Sequence, residues 1–208
     1  YEQAGMAYEP AGRRIDRLEE ALAVLKGLFA DGAYNFQGEH YAIRELDGYP
    51  KPLQRPHPPI LIGGGKRRVL RLAGREADIV SILTSSVSSG VVEDDASERF
   101  AHAVSQKLDW IREGAGERYD QIELSLIPSL VPATDRRAAA SELITTRGWR
   151  DATVDDVLAM PSVLIGTPDE MAETMFQRRE KHGFSYYAVS DKQMDTFAEV
   201  IEHLAGVS

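Results

Sequence analysis

The amino-acid sequence predicts an α/β fold in which short parallel strands alternate with helices. Three short apolar runs, at residues 60–62, 78–83 and 122–127, are typical of strands that are buried on both faces. A fourth strand is expected at residues 185–189, and segments with helical periodicity separate the four. Consecutive parallel strands need right-handed crossovers, which favours either a doubly wound sheet or a barrel. Four strands are too few to close the usual eight-stranded barrel.

The first sixty residues predict a helix and a hairpin ahead of these strands. Apolar residues recur at helical spacing from residue 15 to residue 29, and turn residues are expected to end the helix near residue 31. The segment YNFQGEHYAI alternates aromatic and polar residues around Gly38, which predicts a short hairpin. Five prolines between Pro50 and Pro59 predict an extended connector. We interpret the connector as a boundary between parts of one domain that spans residues 1–208.

The second half of the chain predicts further helices. One is expected at residues 97–113, and a helical region at residues 136–160 is expected to break near Gly148. The segment IGTPDE predicts a helix start, with Thr167 as N-cap, Pro168 at the first helical position and Glu170 completing a capping box. Gly183 is expected to end this helix. Apolar residues near the C-terminus predict a last helix.

The composition is that of a globular protein with one substantial core. The 208 residues are 43% hydrophobic and 27% charged, and the formal net charge is −9. An acidic chain argues against non-specific nucleic-acid binding, which needs Lys and Arg to neutralise phosphates. The chain contains no cysteine, no apolar run of the roughly 20 residues that a membrane helix needs, and no signal-peptide pattern. We therefore expect a soluble, cytoplasmic protein that binds neither nucleic acid nor membranes.

A candidate anion site follows the first predicted strand. Glycine residues at a strand end allow main-chain amides to approach an anion, and the free N–H groups at the start of the next helix favour negative charge. Hydroxyl groups follow the neighbouring strand, and they are expected at the same edge of a parallel sheet. The candidate cofactor-binding residues are Ile62, Gly63, Gly64, Gly65, Lys66, Thr84, Ser85 and Ser86.

Two interpretations of these glycines remain open at this stage. They either hold a phosphate or only make a tight turn between strand and helix. The standard nucleotide motifs do not decide between these interpretations. Arg68 stands where the dinucleotide fingerprint has its third glycine, and Ile60 and Arg67 replace required residues of the P-loop pattern.

Four segments of the chain resemble the bacterial luciferase-like family of flavin- and deazaflavin-dependent oxidoreductases. In chain order they are RRIDRLEEALAVLKGLF, FQGEHYAI, PPILIGGGKRRVLRLAGREADIVSI and VLIGTPDEMAE. The resemblance covers essentially the whole chain and is greatest to the actinobacterial branch that uses the deazaflavin coenzyme F-420. It implies an α/β fold that is the C-terminal half of a (β/α)₈ TIM barrel, with an inserted hairpin. Because the chain begins at Tyr1 and members have further strand–helix units before this helix, we expect an upstream half to be missing.

The resemblance also implies a function and a cofactor. Family members perform hydride transfer or monooxygenation with reduced coenzyme F-420 or FMN, act on small organic molecules, and are commonly homodimers. Their cofactor ring lies at the C-terminal mouth of the barrel. The glycines and the hydroxyl cluster would hold the cofactor phosphate, and Ile62 would lie just beneath the ring or its side chain. No catalytic residue is assigned.

Other residues give weaker signals. His40 in the hairpin and Arg150 in the helix break are minor candidates for contacts to substrate or cofactor, and no histidine has a partner at metal-ligand spacing. Two functions of other classes stay open. One is a non-catalytic half-barrel that binds a cofactor or assembles with another chain, and the other is a phosphosugar-type barrel enzyme with acid–base residues at its strand ends.

Overall fold

The computed structural model describes residues 1, 3–88 and 91–204. The chain divides into two compact units, Tyr1–Ile60 and Leu61–Ser208, and the division falls just after the proline-rich connector. The first unit contains α1 (Ala11–Phe29), β1 (Tyr34–Gln37) and β2 (Ala42–Leu46). The second unit contains β3 (Leu61–Gly64), α2 (Arg67–Glu76), β4 (Ile79–Ile82), β5 (Ser86–Ser88), β6 (Val91–Glu93), α3 (Ala101–Ala115), β7 (Glu123–Leu126), β8 (Ser129–Pro132), α4 (Arg136–Arg147), α5 (Val154–Ala159), β9 (Val163–Gly166), α6 (Pro168–His182), β10 (Phe184–Tyr187) and α7 (Met194–Leu204).

In the first unit, one carboxylate fixes the predicted hairpin. Strands β1 and β2 pair antiparallel, and Glu20 of α1 accepts hydrogen bonds from the main-chain N–H groups of Glu39 (2.8 Å), His40 (2.8 Å) and Tyr41 (3.0 Å). A Cβ atom at Gly38 would collide with the same carboxylate, so a side chain at this position would displace Glu20. Partial burial alone would raise the pKa of Glu20, but the three main-chain hydrogen bonds lower it overall.

The second unit is built on a parallel sheet of four strands. Their order is β10-β7-β4-β3, and every neighbouring pair is parallel. Among these four strands, each lies beside the one that follows it in chain order, and every connection contains at least one helix. A doubly wound sheet reverses its strand order at a switch point, whereas a barrel keeps it. The observed order is therefore that of a barrel segment.

At its β3 edge the sheet is buried on one face only, which corrects the expectation that residues 60–62 form a strand buried on both faces. In the central strand β7, by contrast, Leu124, Ser125 and Leu126 are all buried. In β3, Ile62 is 6% exposed, whereas its neighbour Leu61 is 47% exposed. Side chains alternate along a strand, so Ile62 and Gly64 share one face, and Gly64 lies against Val69 of α2. The buried face is thus the helix-covered one. The opposite face, to which Leu61 and Gly63 belong, is open.

Two glycines bring helices α2 and α3 into close contact. A Cβ atom at Gly74 would collide with the main chain of Ile111, and one at Gly114 with the main chain of Arg71. Arg118 closes the end of α2, because its guanidinium donates hydrogen bonds to the carbonyl oxygens of Gly74 (2.5 Å) and Ala77 (2.7 Å). The two backbones therefore approach each other closely at these glycines.

The sequence analysis missed a second parallel pair. Strands β8 and β9 pair in register from Ser129 with Val163 to Pro132 with Gly166. Val163, Leu164 and Ile165 are at most 2% exposed, so β9 is buried on both faces. It separates two apolar clusters, one formed with α4 and α5 and the other with α6 and α7. The antiparallel pair β5–β6 was also missed.

Most predicted helix boundaries are confirmed. Thr167 and Glu170 form the expected capping box, Pro168 opens α6, and Gly183 ends it in the left-handed conformation with φ of 81°. The helical region breaks as predicted at Gly148, which has φ of 68°. The prediction for α3 was wrong at its start, because a short 3₁₀ turn occupies Ala96–Glu98 and the α-helix begins at residue 101. Within the described ranges, no helix is long and apolar enough to cross a bilayer.

Candidate functional site

The candidate site lies at the carboxyl ends of β3 and β4. Gly63 pairs with Ser81 and Gly64 with Ile82 in the parallel register, and the N–H of Leu83 donates a hydrogen bond to the carbonyl oxygen of Gly64 at 2.8 Å. Gly63 and Gly64 therefore belong to the strand, rather than to a loop as the sequence suggested. The turn into α2 consists of residues 65 and 66.

The three glycines differ in the space around them. None has a positive φ angle, so backbone conformation does not require glycine at any of them. A Cβ atom at Gly64 would lie 2.6 Å from Val69 Cγ1, and one at Gly65 would lie 3.1 Å from the carbonyl oxygen of Leu83. A Cβ atom at Gly63 would meet only the carbonyl oxygen of Ser81, at 3.8 Å. Tight packing between strand and helix accounts for Gly64 and Gly65, but it does not account for Gly63.

Ile62 lies on the helix face of the sheet. It is buried at 6% exposure and pairs with Val80, which is fully buried. Its side chain therefore points away from the open face to which Gly63 belongs. A contact between Ile62 and a cofactor ring stays a prediction.

Three basic residues at the start of α2, Lys66, Arg67 and Arg71, have different partners in the structure. Lys66 is the N-cap residue of α2 and its ammonium contacts Glu98 Oε1 at 2.5 Å. Arg67 turns toward α3 instead, where its guanidinium contacts Glu113 at 3.0 Å, and Arg71 approaches the same carboxylate at 3.6 Å. Of these three cations, only Lys66 pairs at the strand ends.

The hydroxyl cluster is also divided. Thr84 follows β4 and is 7% exposed, and its hydroxyl oxygen accepts a hydrogen bond from Arg99 Nη1 at 3.3 Å. A guanidinium only donates, so the hydrogen of this hydroxyl is directed elsewhere. Ser85 is half-buried beside it. Ser86 begins β5, and its side chain lies outside the described part of the chain.

Sequence reasoning missed two buried cations at this site. Arg99, 9% exposed, also donates hydrogen bonds to Asp94 Oδ1 (2.8 Å) and Ser162 Oγ (3.3 Å). Lys107, 2% exposed, donates to the carbonyl oxygen of Leu83 at 2.8 Å and forms an ion pair with Glu98 at 2.8 Å. Burial lowers the pKa of Lys107, and the contact with Glu98 partly offsets this effect. The sequence carried one signal for Lys107, because a lysine on the apolar face of a helix needs a buried partner.

The two minor candidates belong to different units. Arg150 lines a pocket of about 240 Å³ together with Asp94, Phe100 and Trp149. His40 belongs to the first unit, where its main-chain N–H contacts Glu20. In the described ranges, no group of three or more histidine or carboxylate side chains is placed to hold a metal ion.

The charges around the strand ends favour an anion. Four cations face three carboxylates there: Lys66, Arg99, Lys107 and Arg147 against Asp94, Asp95 and Glu98. The local balance is therefore positive in a chain whose formal net charge is −9. Cations, hydroxyl groups and a helix N-terminus are together the chemistry that binds phosphate or carboxylate.

Comparison with known proteins supports the resemblance found in the sequence. The chain is 25% identical over 177 residues to an FMNH(2)-dependent dimethylsulfone monooxygenase of Pseudomonas putida, which covers 77% of the chain and 49% of that protein. It is 28% identical over 176 residues to an F420-dependent glucose-6-phosphate dehydrogenase of Nakamurella multipartita, which covers 81% of the chain and 48% of that protein. The chain thus spans about half the length of these curated relatives.

Solved structures share the fold. An F420-dependent secondary alcohol dehydrogenase superposes with a TM-score of 0.62 at 15% identity, over 95% of the chain and 64% of that structure. A long-chain alkane monooxygenase gives a TM-score of 0.63 at 15% identity, over 96% of the chain and 57% of that structure. These are luciferase-like TIM barrels, which confirms the predicted half-barrel fold.

The family assignment depends on a family model rather than on any single relative. The model for the luciferase-like monooxygenases matches residues 1–153, which is most of the chain. This match confirms the resemblance that the four sequence segments predicted. The chain belongs to the luciferase-like monooxygenase family.

Proposed function

We propose that the chain is part of an oxidoreductase that uses reduced coenzyme F-420 or FMN for hydride transfer to, or monooxygenation of, a small organic molecule. Family membership and relatives that are named for both cofactors support this proposal. The observation that carries it in this chain is the positive cluster at the ends of β3 and β4. Both cofactors have a phosphate on a ribityl chain, so either one suits the same site.

The residues at the strand ends fit a phosphate. Gly65 and Lys66 lie at the N-terminus of α2, where main-chain N–H groups and the helix dipole favour negative charge. Lys66 brings a mobile positive charge, since its side chain is 67% exposed. The open space at Gly63 leaves room for the cofactor beside the strand. Thr84 has a hydroxyl hydrogen to donate, because Arg99 occupies its oxygen.

When bound, the cofactor supplies the redox chemistry, and the protein supplies binding and orientation. In this proposal Gly63, Gly64, Gly65, Lys66 and Thr84 to Ser86 hold the phosphate end of the cofactor. Arg99 keeps Thr84 oriented from its buried position. The two compact units act as one luciferase-like domain, and the protein works as a cytoplasmic homodimer on a small-molecule substrate.

A binding comparison tests the proposal. FMN and riboflavin differ only in the phosphate, so titrating each into the protein and following flavin fluorescence isolates the contribution of the phosphate. We expect FMN to bind at least about tenfold more tightly, since a charge-assisted contact stabilises by roughly 1.5–3 kcal/mol. A parallel titration with coenzyme F-420 identifies the preferred cofactor.

Two variants that each remove one positive charge test where the phosphate binds. Lys66→Gln should lower the preference for FMN over riboflavin severalfold. The neighbouring Arg67→Gln should leave it unchanged, because Arg67 pairs with Glu113 on α3. Equal binding of FMN and riboflavin by the wild-type chain, with no binding of coenzyme F-420, would contradict the proposed function.

A second candidate function is a non-catalytic module that assembles with another chain. The open face of the sheet favours it, because Leu61 and Ile127 are 47% and 54% exposed. An exposed apolar sheet face is a typical association surface. Sedimentation velocity distinguishes the candidates, since an assembly module should associate without cofactor. A monodisperse monomer that binds FMN would exclude this alternative.

A further inference from the structure

Glu98 lies between two lysines at the candidate phosphate site. Its Oε1 atom contacts the ammonium of Lys66 at 2.5 Å, and its Oε2 atom contacts the ammonium of Lys107 at 2.8 Å. The three residues come from different elements: Lys66 begins α2, Glu98 ends the 3₁₀ turn, and Lys107 lies in α3. One carboxylate therefore pairs with two cations, each at a different oxygen atom.

The two lysines differ in exposure. The side chain of Lys107 is 2% exposed, and its ammonium also donates hydrogen bonds to the carbonyl oxygens of Leu83 (2.8 Å) and Glu98 (3.1 Å). Lys107 thus fixes both the main chain and the carboxylate of Glu98. The side chain of Lys66 is 67% exposed and contacts Glu98 only through its terminal ammonium. Lys107 and the carboxylate of Glu98 are thus held inside the protein, whereas the side chain of Lys66 is open to solvent.

Glu98 remains anionic at neutral pH. Partial burial alone would raise the pKa of its carboxyl group, but the hydrogen bonds and charges of Lys107 and Lys66 lower the pKa overall. A phosphate that approaches Lys66 therefore comes close to the negatively charged carboxylate with which Lys66 is paired. At the few ångströms involved, two like charges repel appreciably even in a partly solvated environment.

We propose that Glu98 is an internal competitor for Lys66, because the ammonium that pairs with this carboxylate is the one that would contact the cofactor phosphate. The inference rests on the proposed function, because it assumes that the phosphate binds beside Lys66. Glu98 then sets the selectivity of the site. A ligand with a doubly charged phosphate can draw Lys66 away, whereas a neutral or weakly charged ligand leaves the ion pair intact.

The test removes the charge of Glu98 and keeps its shape. Glu98→Gln retains an amide oxygen that can accept from Lys107, so the buried contact survives. We expect this variant to bind FMN about three- to tenfold more tightly than the wild type does, with unchanged riboflavin affinity, because only the phosphate senses the lost charge. In a Lys66→Gln background, Glu98→Gln should give a clearly smaller gain, because the competition for Lys66 no longer exists.

Glu113→Gln is the matched control. Glu113 also bridges α2 and α3 through ion pairs, but with Arg67 and Arg71, so its loss should leave the FMN affinity unchanged. If Glu98→Gln does not fold, Glu98→Asp withdraws the carboxylate from Lys66 and should give a smaller gain in the same direction.

The outcomes separate the two claims. Unchanged or weaker FMN binding by the Glu98 variants, or an equal gain for riboflavin, overturns the inference while the proposed function stands. A wild-type chain without preference for FMN over riboflavin overturns the proposed function, and the inference falls with it.

Discussion

Neighbouring glycines of β3 should respond in opposite ways to the same added methyl group. In Gly64→Ala, the new Cβ atom would lie 2.6 Å from Val69 Cγ1 and 3.2 Å from its Cγ2. Favourable carbon contacts lie at about 3.5–4.0 Å, so the overlap approaches 1 Å. Valine has one strongly preferred χ1 rotamer in a helix, so Val69 cannot turn away and α2 must shift. Overpacking of this kind costs about 1–3 kcal/mol.

Gly63→Ala adds the same methyl group on the open face. Its nearest atom would be the carbonyl oxygen of Ser81, at an ordinary distance of 3.8 Å. Replacing a strand glycine also removes backbone entropy from the unfolded chain, which stabilises by roughly 0.5–1 kcal/mol. This gain applies to both variants and cancels between them, so we expect their stabilities to differ by the overpacking cost of about 1–3 kcal/mol, with Gly63→Ala the more stable. Urea unfolding followed by tryptophan fluorescence measures this difference.

The binding of FMN should show the reverse order. The methyl group of Gly63→Ala would occupy the space in which we place the cofactor, so its FMN affinity should fall severalfold although its fold is intact. The methyl group of Gly64→Ala points into the protein, so the folded molecules of this variant should keep most of the FMN affinity. The reasoning is refuted if Gly64→Ala is as stable as the wild type, or if Gly63→Ala binds FMN normally.

Three further predictions concern stability. Gly114→Ala would force α2 and α3 apart at the main chain of Arg71 and should lower the free energy of unfolding by about 2 kcal/mol or more in urea; a neutral effect would show that the helices separate freely. Arg178→Met should cost roughly 2–5 kcal/mol in the same assay, because its buried guanidinium donates to three main-chain carbonyl groups, and a loss within 0.5 kcal/mol would contradict this role. Because the pKa of Glu20 is lowered in the folded state, its charge contributes to stability above about pH 4.5, and this contribution is lost as the pH falls. The difference in Tm between the wild type and Glu20→Gln should therefore vanish in acid. A difference that stays constant with pH would exclude a role for the charge.

The strands of the main sheet could be predicted because local chemistry marks them. Residues 60–62, 78–83 and 122–127 are apolar runs with turn residues at their ends, and the structure places strands there within two residues. The capping box of α6 is equally local, since Thr167 and Glu170 are three positions apart. These signals depend on neighbours in the sequence, so the sequence alone contains them.

The strands that were missed are harder to recognise, for two different reasons. Strand β9 has a local signal, an apolar run at residues 163–165 between Pro161 and Gly166, but it directly precedes the capping box of α6 and was read as part of the start of that helix. Its partner β8 lies more than thirty residues earlier and contains Pro132, which usually argues against a strand. Only the pairing of these two segments and the apolar clusters on both sides of β9 make them strands.

The candidate site shows the same division between local and distant information. Gly65 and Lys66 could be predicted because a strand, glycines and a helix follow one another in the chain. The partners of Lys107 could not, because Leu83 lies 24 positions earlier and only the folded chain brings its carbonyl oxygen to the ammonium. Two of the three glycines then proved to serve packing as well, which a motif cannot reveal.

The opposite signs of the local and the total charge have a physical consequence for anion binding. The chain carries a formal charge of −9, which repels a phosphate at long range. At physiological ionic strength this repulsion is screened beyond about 8 Å, whereas the proposed contact of Lys66 with a phosphate acts within hydrogen-bond distance. Salt should therefore weaken two opposing effects at once, the distant repulsion and the exposed Lys66 contact, while the buried pairs of Arg99 and Lys107 are little affected. Arg99 and Lys107 are neutralised by their own partners, so the cation that a phosphate can reach is the exposed Lys66. A short-range contact of this kind does not depend on the sign of the total charge, which is why the net charge of this chain does not argue against a phosphate-bearing cofactor.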